Sequence, residues 1–230
     1  MKLFGRLAAI LLIAASAEES IGQVVETTPS RYSISFGMGA GVHSAPRVAD
    51  YISSFGVTES GQRVDEFSSM LELYFAPWMR VEPEWGVGLE YAFLTKTHTV
   101  GSGPGLVGAE FTYNVHMPTA LVHYVVDGSS YYFKFGGGAG YHFATMIQTL
   151  RSVGAEETFS TEGFGLKLEA MGYTKFDDTF FGNIGADLRW DFLGALTTDS
   201  GLAAIDRTTN TTAKMQFFSV SLKFGVCFQL

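Results

Sequence analysis

The chain has 230 residues, 47% of them hydrophobic, and a formal net charge of −8 from 15 basic and 23 acidic residues. That length fits one domain, and an acidic chain without a Lys/Arg cluster argues against nucleic acid as a partner. Cys227 is the single cysteine, which excludes an intramolecular disulfide and a Cys-based metal site and leaves a small packing residue.

The N-terminal stretch Met1 to Ala17 reads as an address. Lys2 and Arg6 precede an apolar run from Leu7 to Ala15, and Ala15-Ser16-Ala17 supplies a small-x-small cleavage pattern. Cleavage after Ala17 leaves 13 basic against 23 acidic residues. Residues 18–30 are expected to form a short periplasmic segment, and 31–230 the folded domain. No later apolar run approaches the ~18 residues of a helical membrane span, so the choice lies between a secreted soluble protein and a membrane barrel.

From residue 31 onward the hydrophobic pattern has a period of two, the strand period. Arg31 to His43 sets Ile34, Phe36, Met38, Ala40 and Val42 against Ser33, Ser35 and three glycines. Ser69 to Trp78 sets Leu71, Leu73 and Phe75 against Glu72 and Tyr74. Trp85 to Thr95 sets Val87, Leu89, Tyr91 and Phe93 against Gly86, Gly88 and Glu90. Gly108 to Met117 sets Phe111, Tyr113 and Val115 against Glu110, Thr112, Asn114 and His116. Pro118 cannot donate to a ladder, so a bulge is expected there, with Thr119 to Val126 continuing the strand.

Tyr131 to Phe143 sets Phe133, Phe135, Ala139 and Tyr141 against Lys134, three glycines and His142. Gly163 to Tyr173 sets Phe164, Leu166 and Leu168 against Lys167 and Glu169. Phe180 to Phe192 sets Ile184, Ala186, Leu188, Trp190 and Phe192 against Asn183, Asp187, Arg189 and Asp191. Ser219 to Leu230 alternates to the end, with Val220, Leu222, Phe224, Val226, Phe228 and Leu230 on one face. Short connections at about Met79–Glu84, Asp127–Ser130 and Thr174–Thr179 alternate with long ones at about Ser44–Glu66, Lys96–Val107, Ala144–Glu162 and Leu193–Ala213. The pattern predicts an all-β fold: a closed, antiparallel, up-and-down transmembrane barrel of about eight strands.

Charge placement separates a membrane barrel from a soluble one. Glu72, Glu90, Glu110, Lys134, Lys167, Glu169, Asp187, Arg189, Asp191 and Lys223 all share the Gly/Ser side. That side is expected to face the lumen as a salt-bridge network, because a base facing lipid at mid-depth costs roughly 2–4 kcal/mol. Each base is expected beside an acid. Trp78, Trp85, Tyr131, Tyr132, Tyr173, Phe180 and Phe181 cluster at the short turns, where an interfacial girdle belongs.

The last strand resembles the C-terminal assembly signal of bacterial outer-membrane proteins, although Leu230 is terminal and Phe228 stands two earlier. The mature chain resembles the small eight-stranded outer-membrane barrel families of the OmpA transmembrane-domain and OmpX kind. The resemblance implies residence in the outer membrane, lipid as the surrounding partner and engagement of the barrel-assembly machinery through the last strand.

Motifs for chemistry are sparse. His43 and His98 fall near the outer rim, and His116 and His142 on the face read as inward. None has a serine at an H-x-S spacing, and no His/carboxylate set has ligand spacing. Gly37, Gly39, Gly41 and Gly136, Gly138, Gly140 repeat on strand faces and precede no helix, unlike a nucleotide loop. No catalytic residue, metal or cofactor is therefore expected, and the chain is read as a non-enzyme. Its expected role is structural, adhesive or surface-interactive, through loops that meet an unidentified extracellular partner. A narrow pore for small solutes is the alternative, and a lipid-modifying enzyme the weakest reading.

Overall fold

The computed structural model describes residues 31–58, 61–101, 108–151 and 154–230. The expected signal peptide and the 18–30 segment lie outside these residues. Eight strands follow one another: β1 (Tyr32–Ser44), β2 (Phe67–Glu82), β3 (Trp85–Val100), β4 (Ala109–Asp127), β5 (Tyr131–Leu150), β6 (Ala155–Lys175), β7 (Phe180–Ala195) and β8 (Lys214–Gln229). Each pairs antiparallel with its sequence neighbours, and β1 pairs with β8 to close the barrel, Phe36 opposite Val226. Closure leaves no strand edge, the condition for a sheet to survive in hydrocarbon.

Three features depart from the sequence reading. First, β3, β5 and β6 run further than expected: β3 continues to Val100 into the connection placed at Lys96–Val107, and β5 and β6 take up most of the one placed at Ala144–Glu162. Thr95, Thr97 and Thr99 continue the alternation with β-branched residues, which suit a pleated surface. Second, Pro118 makes no bulge. It sits opposite Tyr91, and the register from His116–Phe143 to Thr119–Gly140 does not slip. The ring removes a ladder hydrogen bond without adding a residue, and Pro77 does the same between β2 and β3. Third, the connection after β1 contains a helix, α1 (Pro46–Ser53), with proline in its first turn and Val48, Ala49, Tyr51 and Ile52 buried.

The barrel has two regimes along its axis. In the part nearer the short turns, the outer wall is apolar: Leu73 is 52% exposed, Leu166 50% and Ile184 69%. Its inner face carries charges. Nearer the long connections the arrangement reverses on β3 to β6, while Val42, Phe67 and Phe218 keep the outer face apolar at the ends of β1, β2 and β8. Inward positions become Met70, Leu94, Met117, Ala144, Phe159, Leu193 and Phe217, all buried, while outward positions become Thr95, Asn114, Thr145, Ser160 and Gln216.

The reversal corrects the reading of the first half of β4. Phe111, Tyr113, Val115 and Met117 point inward and are buried, whereas Glu110, Thr112, Asn114 and His116 lie on the outer face. Hydrophobic alternation is as regular here as on the lower strands, with the opposite polarity. Here the apolar side turns inward, as in a water-soluble barrel.

Candidate functional site

The lumen is filled in three layers. The central one is ionic. Lys167 donates to both Glu90 oxygens at 2.6 and 2.7 Å and to Glu169. Arg189 donates to Glu72 at 2.9 Å and to Glu90 at 3.1 Å. Lys223 reaches Glu90 at 2.8 Å and both Glu72 and Asp187 at 3.2 Å. Ser221 donates to Asp187 at 2.5 Å, and Lys167 lies 3.5 Å from the same carboxylate. These side chains start from β2, β3, β6, β7 and β8, so the network ties much of the ring together across its interior.

Two histidines line the same lumen. His123 contacts Glu169 at 2.7 Å. His142, wholly buried, meets Asp191 through Nδ1 and the Thr119 hydroxyl through Nε2, the latter at 3.2 Å. Room for this pair depends on Gly165: a Cβ there would run into the His142 ring and the Asp191 carboxylate. Similarly, Gly37 and Gly225 face each other beneath the Tyr74 hydroxyl, which donates to Asn183 at 2.6 Å.

The structure brings seven of the ten sequence-selected charges into one network, sets Asp191 against His142 in the same lumen, and places two elsewhere. Glu110 is on the outer face and pairs with Arg151 near the strand tip. It stands there, and not in the lumen, because the polar side of upper β4 turns outward. Lys134 does point inward, but none of the salt bridges among the described residues includes it. Its ammonium sits 3.6 Å from the Trp78 ring centroid, 4.7 Å from Tyr173 and 5.6 Å from Tyr132. Ring quadrupoles stabilise a desolvated cation in such a cage.

That cage belongs to the second layer, an aromatic floor at the short-turn end. Tyr132 stacks on Tyr173 at 4.4 Å and meets Phe181 at 5.5 Å, with Trp78 and Cys227 buried beside them. Four of the seven residues assigned to the interfacial girdle are therefore inside: Trp78, Tyr132, Tyr173 and Phe181. Trp85, Tyr131 and Phe180 do lie on the outer wall, with Tyr32 and Tyr124. Adjacent aromatics on one strand must point to opposite sides.

The third layer closes the opposite mouth, and the sequence reading missed it. Helix α1 lies across the opening and buries its apolar face on the inward side chains of the upper barrel. Tyr51 donates to Gln148 at 2.5 Å and packs edge-on against Phe111. Burial pushes its phenol well above the usual range. Beneath the helix, His43 contacts Tyr113 and, at 3.3 Å, Ser68. Outside, Arg63 pairs with Asp50 at 3.0 Å, and Arg207 covers Phe55. Eight residues with two β-branched members give little helical signal. Pro46 and the Val48/Ala49/Tyr51/Ile52 spacing were the available clue.

The Glu72, Glu90 and Asp187 carboxylates approach within 4.8 Å of one another, as in a cation site. Lys167, Arg189 and Lys223 already supply that positive charge, so this donor set fits a salt-bridge core better than a metal.

No protein-family model and no curated protein sequence matches the chain. Among solved structures, a major outer membrane protein from Thermus thermophilus is similar with a TM-score of 0.54 at 15% identity, covering 86% of this chain and 99% of that one. Ail, the attachment invasion locus protein of Yersinia pestis, in complex with the heparin analogue sucrose octasulfate, gives 0.48 at 12% identity over 87% and 100%. OprG from Pseudomonas aeruginosa gives 0.46 at 15% over 90% and 98%. The fold is that of the small eight-stranded outer-membrane barrels. The apolar outer wall and closed sheet place this chain in that membrane.

Proposed function

We propose that the protein is a non-catalytic outer-membrane barrel that acts through its extracellular surface, in an adhesive or other surface-interaction role, and does not conduct solutes. One observation carries this reading: ionic core, aromatic floor and helix cap occupy successive levels of the same lumen. Side chains can fill a barrel of eight strands completely. Thr119, His142 and Asp191 follow the hydroxyl–imidazole–carboxylate order of a hydrolase triad, but all three are buried inside this filling, which supports a structural role. The unidentified partner would meet the connections that follow β1, β3, β5 and β7. The last strand, alternating to Phe228, supports engagement of the assembly machinery.

Planar-bilayer recording of the refolded protein tests the reading. The expected result is an unchanged baseline. Discrete conductance steps whose ion selectivity shifts in Arg189→Ala would replace it with a narrow pore.

A further inference from the structure

Above the apolar wall, the upper parts of β3 to β6 present a polar outer face. Their registers align side chains in rows: Thr97, Thr112, Ile147 and Thr158 in one, Thr95, Asn114, Thr145 and Ser160 in the next. Thr97 and Thr112 hydroxyls lie 2.9 Å apart. The row below holds Phe93, His116, Phe143 and Glu162, and the one beneath that Tyr91, Pro118, Tyr141 and Phe164. Tyr91 joins the two through its hydroxyl, 2.6 Å from His116. Hydroxyls thus give way to aromatics within one row, as at a membrane interface.

Directly under those aromatics the wall is furrowed. A groove of about 620 Å³ is bordered by Phe75 and Tyr141 and floored by Pro118, Ala120, Ala139 and Gly140. A second, of about 530 Å³, shares Pro77, Leu89 and Ala120 with it and continues down the wall. The two ring-constrained positions, Pro77 and Pro118, interrupt the ladders at this level. Small side chains there leave the depression that larger outward residues fill elsewhere.

We propose that this wall is a binding site for a glycolipid, its acyl chain in the furrow and its saccharide headgroup on the hydroxyl rows. Two independent features on the same strands, one apolar and one polar, match the two halves of such a molecule in the order the membrane imposes. Hydroxyls and the Asn114 amide both donate and accept hydrogen bonds, as sugar hydroxyls require. Glu162 borders the rows and disfavours an anionic phosphate headgroup there, while the charge of Glu110 is met by Arg151. The site is on the barrel's flank and is independent of whatever the loops bind.

The test uses the intact barrel in mixed micelles of digalactosyldiacylglycerol and phosphatidylglycerol with matched acyl chains, with lipid retention read by native mass spectrometry. Wild type should retain the galactolipid preferentially. Thr97→Val/Thr112→Val should lower that preference about tenfold, the effect of two ordinary hydrogen bonds. Thr145→Val, outside the hydroxyl pair, should lower it less. Ala120→Phe, which fills the furrow, should reduce retention of both lipids. Heat-dependent gel mobility verifies that each variant is folded. Equal retention of the two lipids by wild type would overturn the proposal. So would a preference that survives all the threonine variants, or free digalactose competing as well as the lipid itself.

Discussion

The lower and upper halves of this barrel use one backbone pattern with opposite polarity. In the lower half Glu72, Glu90, Asp191 and Lys223 point inward, and Leu71, Leu89, Phe192 and Leu222 outward. In the upper half Met70, Leu94, Leu193 and Phe217 point inward, and Thr95 and Gln216 outward. The change falls within one or two inward positions on each of these strands: Met70 to Glu72, Ala92 to Glu90, Leu193 to Asp191, Phe217 to Ser219. Strand periodicity reports only that two faces differ. Which of them turns inward is decided by whether lipid or water surrounds that level.

The sharpest way to break the comparison is to unbalance the lower core. Arg189→Ala leaves Glu72 and Glu90 short of a buried partner, and losing one member of a buried pair costs roughly 3–5 kcal/mol. Leu188→Ala, the lipid-facing neighbour, should cost much less. Urea-unfolding midpoints in detergent compare them, and equal midpoints would mean that water solvates the network.

In the upper half apolar packing should instead dominate stability. Phe111→Ala removes a buried ring from the contact with Tyr51 and Phe55 and should cost about 3–5 kcal/mol. The same unfolding assay would expose a solvated upper lumen as a loss well below that.

The outer face offers a matched pair on one strand. Leu168→Lys puts a base against hydrocarbon and should cost roughly 2–4 kcal/mol, whereas Thr158→Lys, also outward on β6, should be nearly neutral. Comparable losses from both would show that lipid reaches the hydroxyl rows. The smallest effect is at the cap: Tyr51→Phe loses its bond to Gln148, worth about 1 kcal/mol, seen as faster amide exchange within α1.

The lower half was legible in the sequence because its chemistry is extreme. Leu166, Leu168, Lys167 and Glu169 alternate without ambiguity, and charge fixes which face avoids lipid. Closure and strand number followed from the spacing of such segments. The upper half was not legible, since Phe111, Tyr113 and Val115 alternate as well as any lipid-facing strand. Only a boundary in depth, which no local window contains, turns them inward. Lys134 illustrates a further limit. An inward base was foreseeable, but its aromatic cage is assembled from Trp78 on β2, Tyr132 on β5 and Tyr173 on β6, and only the ring geometry brings these together. Helix α1 escaped because its helical pattern is short and its burial depends on the mouth it covers.

Spin labels placed singly at Leu168, Phe143, Thr145 and Thr158 in lipid bilayers, with relaxation by oxygen compared against a water-soluble nickel chelate, test the two-regime barrel most directly. Oxygen should dominate at Leu168, the two should approach balance at Phe143, and the chelate should dominate at Thr145 and Thr158. Oxygen dominance extending to Thr158 would contradict it, because the hydroxyl rows would then lie in hydrocarbon and the reversal would not mark the membrane boundary.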